Sequence, residues 1–119
     1  MKKVLFAVYT SPAGSIWINE TFRSIFGMYG QDLEPAALLL NEAVLAVHTN
    51  CKPELCGVLP LSITFRYIEK YGTKVYAVKE DLERFDIKED EIDAHWNVKL
   101  ISENELPEFL HSFDNVIFF

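Results

Sequence analysis

The sequence predicts an α/β protein in which a mainly parallel sheet of about five strands is covered on both faces by helices. Two observations predict it. Short, almost wholly apolar runs alternate with longer amphipathic ones, as buried parallel strands alternate with their crossover helices. Half of the 119 residues are apolar and 13% aromatic, enough to offset the entropy of ordering the chain by burial. At this length one domain over residues 1–119 is expected.

Residues 3–9, nearly all apolar, form the first strand, ended by the turn Thr10-Ser11-Pro12-Ala13-Gly14. Ser15 is placed to cap a helix running to about Tyr29, because Ile18, Phe22, Ile25, Phe26 and Tyr29 recur at three- and four-residue spacing; Gly30 ends it. Residues 35–40 read as the second strand. Their unbranched Ala/Leu run also suits a helix, but the position between two helical patterns decides for strand. Asn41 is placed to cap a short helix through Val47, and a turn-rich segment over 49–60 holds both cysteines.

Residues 61–71 predict a helix with Leu61, Phe65 and Ile68 inward and Gly72 as its stop, followed by a third strand at 75–78. The charged, interrupted stretches 79–85 and 86–94 read as short surface helices outside the core. Residues 97–101 form a fourth strand. Ser102 and Glu105 have the spacing of a capping box opening a helix that buries Leu106, Phe109, Leu110 and Phe113. Residues 116–119 close the sheet.

Charge excludes some functions. Eleven Lys and Arg against eighteen Asp and Glu give −7, with no basic stripe, so direct nucleic-acid binding is not expected. Met1-Lys2-Lys3 before an apolar run imitates a signal peptide, but Thr10-Ser11-Pro12 ends the run too early. No segment approaches the ~18 apolar residues of a membrane span. The expectation is a soluble cytoplasmic protein.

Candidate chemistry gathers at two places. The loop Ser11-Pro12-Ala13-Gly14-Ser15 follows the first strand and precedes a helix, where parallel sheets collect ligands; Ser11, Gly14 and Ser15 would hold a small anion or nucleotide. It matches neither nucleotide-loop glycine pattern, and a capping role alone explains it as well. Cys51 and Cys56 are the only residues able to carry sulfur, with Lys52 beside Cys51 to favour the thiolate. Leu55, Val58 and Leu59 give Cys56 apolar company that favours packing. The C-x4-C spacing is not that of a zinc or redox motif, and His48 does not complete a tetrahedral set, so no metal is expected.

Other residues have bland readings. His95 sits in a surface connection, His111 on the outer face of the last helix, and Glu89-Asp90-Glu91 on a solvated face. Trp17 suits a partner contact better than catalysis, although the balance favours core placement.

Several segments in order carry a resemblance to the DsrE-like family, nearest its DsrF/TusC branch. The first strand with Ser11-Pro12-Ala13-Gly14-Ser15 resembles that branch's strand and turn. Residues 65–72 with Val75-Tyr76 resemble its helix ending in Tyr-Gly before a Val-Tyr strand. Residues 79–84 are similar to its charged helix, and 113–119 to its closing segment. The resemblance implies a flavodoxin-like three-layer fold and a homo- or hetero-oligomer with DsrE-like subunits that pass persulfide sulfur; no cofactor is expected. The family's relay cysteine stands near the end of the third strand, whereas this chain has Tyr76-Ala77-Val78-Lys79 there. The resemblance therefore implies a structural or regulatory sulfur-relay subunit; the alternative is a thiol-dependent carrier using Cys51 with Cys56.

Overall fold

The computed structural model describes residues 2–12, 16–51 and 62–119, the side chains of residues 62 and 63 excepted. Five strands, β1 (Lys2–Val8), β2 (Leu33–Leu39), β3 (Lys74–Val78), β4 (Val98–Ile101) and β5 (Asn115–Phe118), form one sheet in the order β4-β3-β2-β1-β5. Every neighbouring pair is parallel. The helices are α1 (Trp17–Gly27), α2 (Ser62–Tyr71), α3 (Lys79–Arg84) and α4 (Leu106–His111), with 3-10 turns at Asn41–Val47, Glu89–Glu91, Ala94–Trp96 and Glu103–Glu105. This is the α/β flavodoxin-like arrangement.

Because side chains alternate across a strand, the central β1 feeds two cores. Val4, Phe6 and Val8 meet Ile18, Phe22 and Ile25 of α1, Ile68 of α2 and Val44 and Val47 of the first 3-10 turn. Leu5 and Ala7 join Ala36, Leu38, Val78 and Ile101 on the opposite face, where Leu106, Phe109, Leu110 and Phe113 pack as half-buried cover. Among the described residues one face thus carries nearly all the helices and the other only α4.

Turns fall where left-handed backbone is tolerated. Gly72 (φ +64) ends α2, and Asp32, Asn41, Asp86 and Asn97 take φ between +48 and +56, the region Asn and Asp enter most readily after glycine.

The structure changes four readings. The stretch 79–94 is not merely surface: Leu82 and Ile87 are core residues and Asp81 is buried, because α3 packs against the first 3-10 turn, and Trp96 just beyond it is a core residue too. Asn41 is not the cap of that turn; left-handed backbone turns its N–H onto the Asp81 carboxylate at 2.7 Å. Ser102 does cap, accepting from Asn104 N–H, but the carboxylate that answers it is Glu80 rather than Glu105. Trp17 is exposed instead of buried, since Ile18, Thr21, Phe22 and Ile25 occupy the inward face of α1. Ser15 and Leu61 lie outside the described residues.

Candidate functional site

Chain direction locates the rim where a ligand or cargo group would sit. The connections from β1 to β2, β2 to β3 and β3 to β4 all step the same way along the sheet, and the one from β4 to β5 steps back across it over the other face. Loops after β3 and β4 therefore diverge, and the crevice opens between the carboxyl ends of those two strands.

Carboxylates with internal partners close that crevice. Glu80, in the first turn of α3, accepts the Ser102 hydroxyl at 2.9 Å and the Glu103 N–H at 3.0 Å. Its carboxyl is held below the ordinary range, first by the Glu103 amide and then, against some desolvation, by the Ser102 hydroxyl. An amide that would greet an anion at the entry to α4 is thus already occupied. Beside it the buried Asp81 accepts from Asn41 N–H and from Arg84 Nη2, both at 2.7 Å, and Arg84 also reaches the Asn41 side-chain oxygen at 3.3 Å. Among the described residues no thiol stands at this rim: Tyr76, Ala77, Val78 and Lys79 finish β3 and begin α3.

The loop after β1 is described only in part. Ser11 is half-buried and Pro12 buried, while Gly14 and Ser15 lie outside the described residues. Its base is fixed by Tyr9 N–H donating to the Phe119 carbonyl (3.3 Å) and Leu40 N–H to that of Val8 (3.1 Å). The Thr10 hydroxyl is buried there without a hydrogen-bond partner among the described residues.

Cys51 is half-buried, packs on the main core, and donates its N–H to the His48 carbonyl at 3.0 Å. Neither ring nitrogen of His48 is left to take a thiol proton. Nδ1 accepts the Asn50 N–H at 3.0 Å, which places the proton on Nε2, and Nε2 faces Glu91 Oε2 at 3.3 Å. Glu91 also accepts the Lys88 N–H, and that amide, then His48, lowers its pKa; it is an anchored carboxylate, not just part of a solvated face. Lys52 and Cys56 lie outside the described residues. Among the described residues no three His, Cys, Asp or Glu side chains gather as a metal site, and no helix is long and apolar enough to cross a membrane.

Sequence reasoning did not single out Glu80 or Asp81. The one available signal was a carboxylate pair directly after an apolar strand, which is indistinguishable from an ordinary acidic first helical turn. His95 is exposed as expected, but it is anchored: Nδ1 meets Asp93 Oδ1 at 2.6 Å and the ring stacks on Phe65 at 5.0 Å.

Comparison with known proteins follows the same geometry. The model of the DsrE/DsrF-like family matches residues 2–119. No curated protein sequence matches. The crystal structure of the ychN protein from E. coli superposes with a TM-score of 0.81 at 20% identity, over 100% of both chains. MTH1491 of Methanobacterium thermoautotrophicum, a protein of unknown function, superposes at 0.72 with 8% identity over 98% of this chain and 99% of its own. At such identities these likenesses speak for the fold.

Proposed function

This chain belongs to the DsrE/DsrF-like family, and from that premise we propose that it is a DsrF/TusC-like subunit of a cytoplasmic sulfur-relay assembly. It builds the oligomer and shapes the place where a partner's persulfide works, and carries no sulfur itself. The observation that carries this reading is the rim between β3 and β4, where Glu80 takes up the Ser102 hydroxyl and the Glu103 amide. A persulfide is a soft anion, so a fixed carboxylate at its position repels it and occupies the donors it would use.

The partner is a cysteine-bearing DsrE-like chain. The test incubates the purified protein with a cysteine desulfurase and cysteine, then measures intact mass, with and without such a partner. The expected result is a sulfur adduct on the partner, none on this chain, and co-elution of the two. An adduct on Cys51 would replace this reading with that of a thiol carrier.

A further inference from the structure

We propose that the cavity at the amino ends of β3 and β4 binds a small organic cation, an ammonium or guanidinium group on a short aliphatic stem, with Glu69 and His95 as its acceptors. The inference goes beyond the subunit reading and does not rest on it, since this cavity lies at the end of the sheet opposite the rim that Glu80 closes.

α2 and the 3-10 turn Ala94–Trp96 pack side by side just before the two strands begin, and the space between them measures about 570 Å³. That is the size of a small-molecule site. Phe65, Ile68 and Ala94 give it apolar walls, and Glu69, His95 and Asn97 bring polar side chains.

The imidazole is fixed before any ligand arrives. Asp93 Oδ1 accepts the His95 N–H at 3.0 Å and faces Nδ1 at 2.6 Å, while the ring lies on Phe65 with centroids 5.0 Å and planes 13° apart. An ionised carboxylate only accepts, so the proton in that contact belongs to Nδ1 and the neutral ring keeps a lone pair at Nε2. Asp93 takes the Nδ1 side, which leaves Nε2 as the nitrogen offered to a ligand. Tautomer and rotamer are both set, and this lowers the ordering cost of binding.

The remaining donors decide the sign of the ligand. The N–H groups of Gly72 and Thr73 both go to the Ile68 carbonyl, at 2.9 and 3.2 Å, and that of Asn97 goes to the Ala94 carbonyl at 3.1 Å. The Thr73 hydroxyl is shared with that of Tyr29 at 2.7 Å. The Glu69 carboxylate has no hydrogen bond or ion pair among the described residues, and neither has the Asn97 side chain. No Lys or Arg is among the described residues that line the cavity. An anion would meet one amide donor and a carboxylate. A cation meets a full charge, further acceptors, and apolar walls for its methylenes. Neighbouring cavities differ. The one of about 530 Å³ at the amino ends of β2 and β3 contains Lys74, 3.6 Å from Glu34, and the one of about 350 Å³ beside α3 contains Lys79 and Lys88.

The test titrates the full chain at mildly alkaline pH, with a chelator present, and reads amide and imidazole nitrogen shifts by NMR. Agmatine and putrescine are the probes; butyrate and butanol are the anionic and neutral controls. The expected result is a saturable change with the two cations, confined to residues 69–73 and 94–97 and to the His95 Nε2 resonance, and none with the controls. Glu69→Gln keeps the shape and removes the charge, so it should weaken binding about tenfold. His95→Phe keeps a ring on Phe65 and removes the nitrogen, and should weaken it by a similar factor while the amide spectrum of the strands stays unchanged.

No saturable change with either cation, an equal change with butyrate, or full affinity in either variant would overturn the site and leave the subunit reading intact. Tighter binding of an arginine within a blocked tripeptide than of agmatine would overturn the assignment to a free small molecule in favour of a partner's side chain.

Discussion

Ser102 donates its hydroxyl proton to the Glu80 carboxylate across 2.9 Å, and this contact ties the end of β3 to the beginning of the crossover that leads into α4. The two residues are neighbours only because β3 and β4 lie side by side. Glu80 thereby supplies from a different element the carboxylate that a capping box would have taken from its own helix.

The first prediction concerns acid. The folded-state pKa of Glu80 is depressed, so its contribution to stability is fully present above the ordinary value near 4.5 and is lost as pH falls through the lower folded value. Glu80→Gln is expected to lower the urea midpoint at pH 7 and to lower it by less at pH 3, so that the two stability curves converge in acid. The remaining acid slope belongs in part to Glu91, which is depressed in the same sense. An equal loss at both pH values would show that the carboxylate charge is irrelevant to the contact.

Asp81 gives the second. Asp81→Ala leaves the Asn41 N–H, and one donor of Arg84, without an acceptor in a buried setting. The Arg84 side chain is 55% exposed and can rehydrate, so the cost is that of an unmet neutral donor, about 1–3 kcal/mol, rather than that of a stranded buried charge. Asn41→Gly relieves the left-handed backbone at φ +52 but gives up the Arg84 bond, and should change stability by under about 1 kcal/mol. Urea denaturation of both variants checks the pair. A larger loss for Asn41→Gly than for Asp81→Ala would reverse the assignment.

How much of this was legible beforehand depended on whether the signal was local. The strands at 3–9, 35–40 and 75–78 were readable because a strand buried on both faces must be apolar at every position, and β1, β2 and β3 lie within two residues of those bounds. The stretch 79–94 was misread because its charges dominate the local pattern, while Leu82 and Ile87 are too widely spaced to mark a face. Trp17 was misplaced because a helix start offers too few turns to fix which side faces in. The rim was invisible for another reason: Glu80 and Ser102, or Asn41 and Asp81, are 22 and 40 residues apart, and only the sheet order brings them together.

Trp96 and Trp17 should be told apart by light. Trp96 is fully buried, with Phe22 edge-on at 5.3 Å and Phe65 at 5.1 Å, whereas Trp17 is exposed. In Trp17→Phe the remaining emission is expected to be blue-shifted and insensitive to iodide. Trp96→Ala should cost about 3–5 kcal/mol. Trp96→Phe should cost clearly less, since it also removes an indole N–H that is buried without an acceptor among the described residues. Iodide quenching of Trp17→Phe equal to that of free tryptophan would contradict the burial.

The last prediction follows from the uneven cover of the sheet. On the face of Leu5, Ala7 and Leu38 the only α-helix among the described residues is α4, six residues long, and none of its side chains is fully buried. A helix of that length has no independent stability, so it is held by Phe109 against Tyr76 (ring centroids 4.7 Å) and by Leu106, Leu110 and Phe113. Native-state amide exchange should therefore find α4 opening by a local event well below the free energy of global unfolding, while β1 and β2 exchange only with it. Phe109→Ala removes the largest of these anchors. Because Phe109 is only half-buried, the expected loss is about 1–3 kcal/mol, below the range for a fully buried aromatic, and it should speed exchange in α4 far more than in β1. If α4 amides were as protected as those of β1 in the monomeric protein, the helix would be an integral part of the core, and its thin packing would have to be compensated by contacts other than these four side chains.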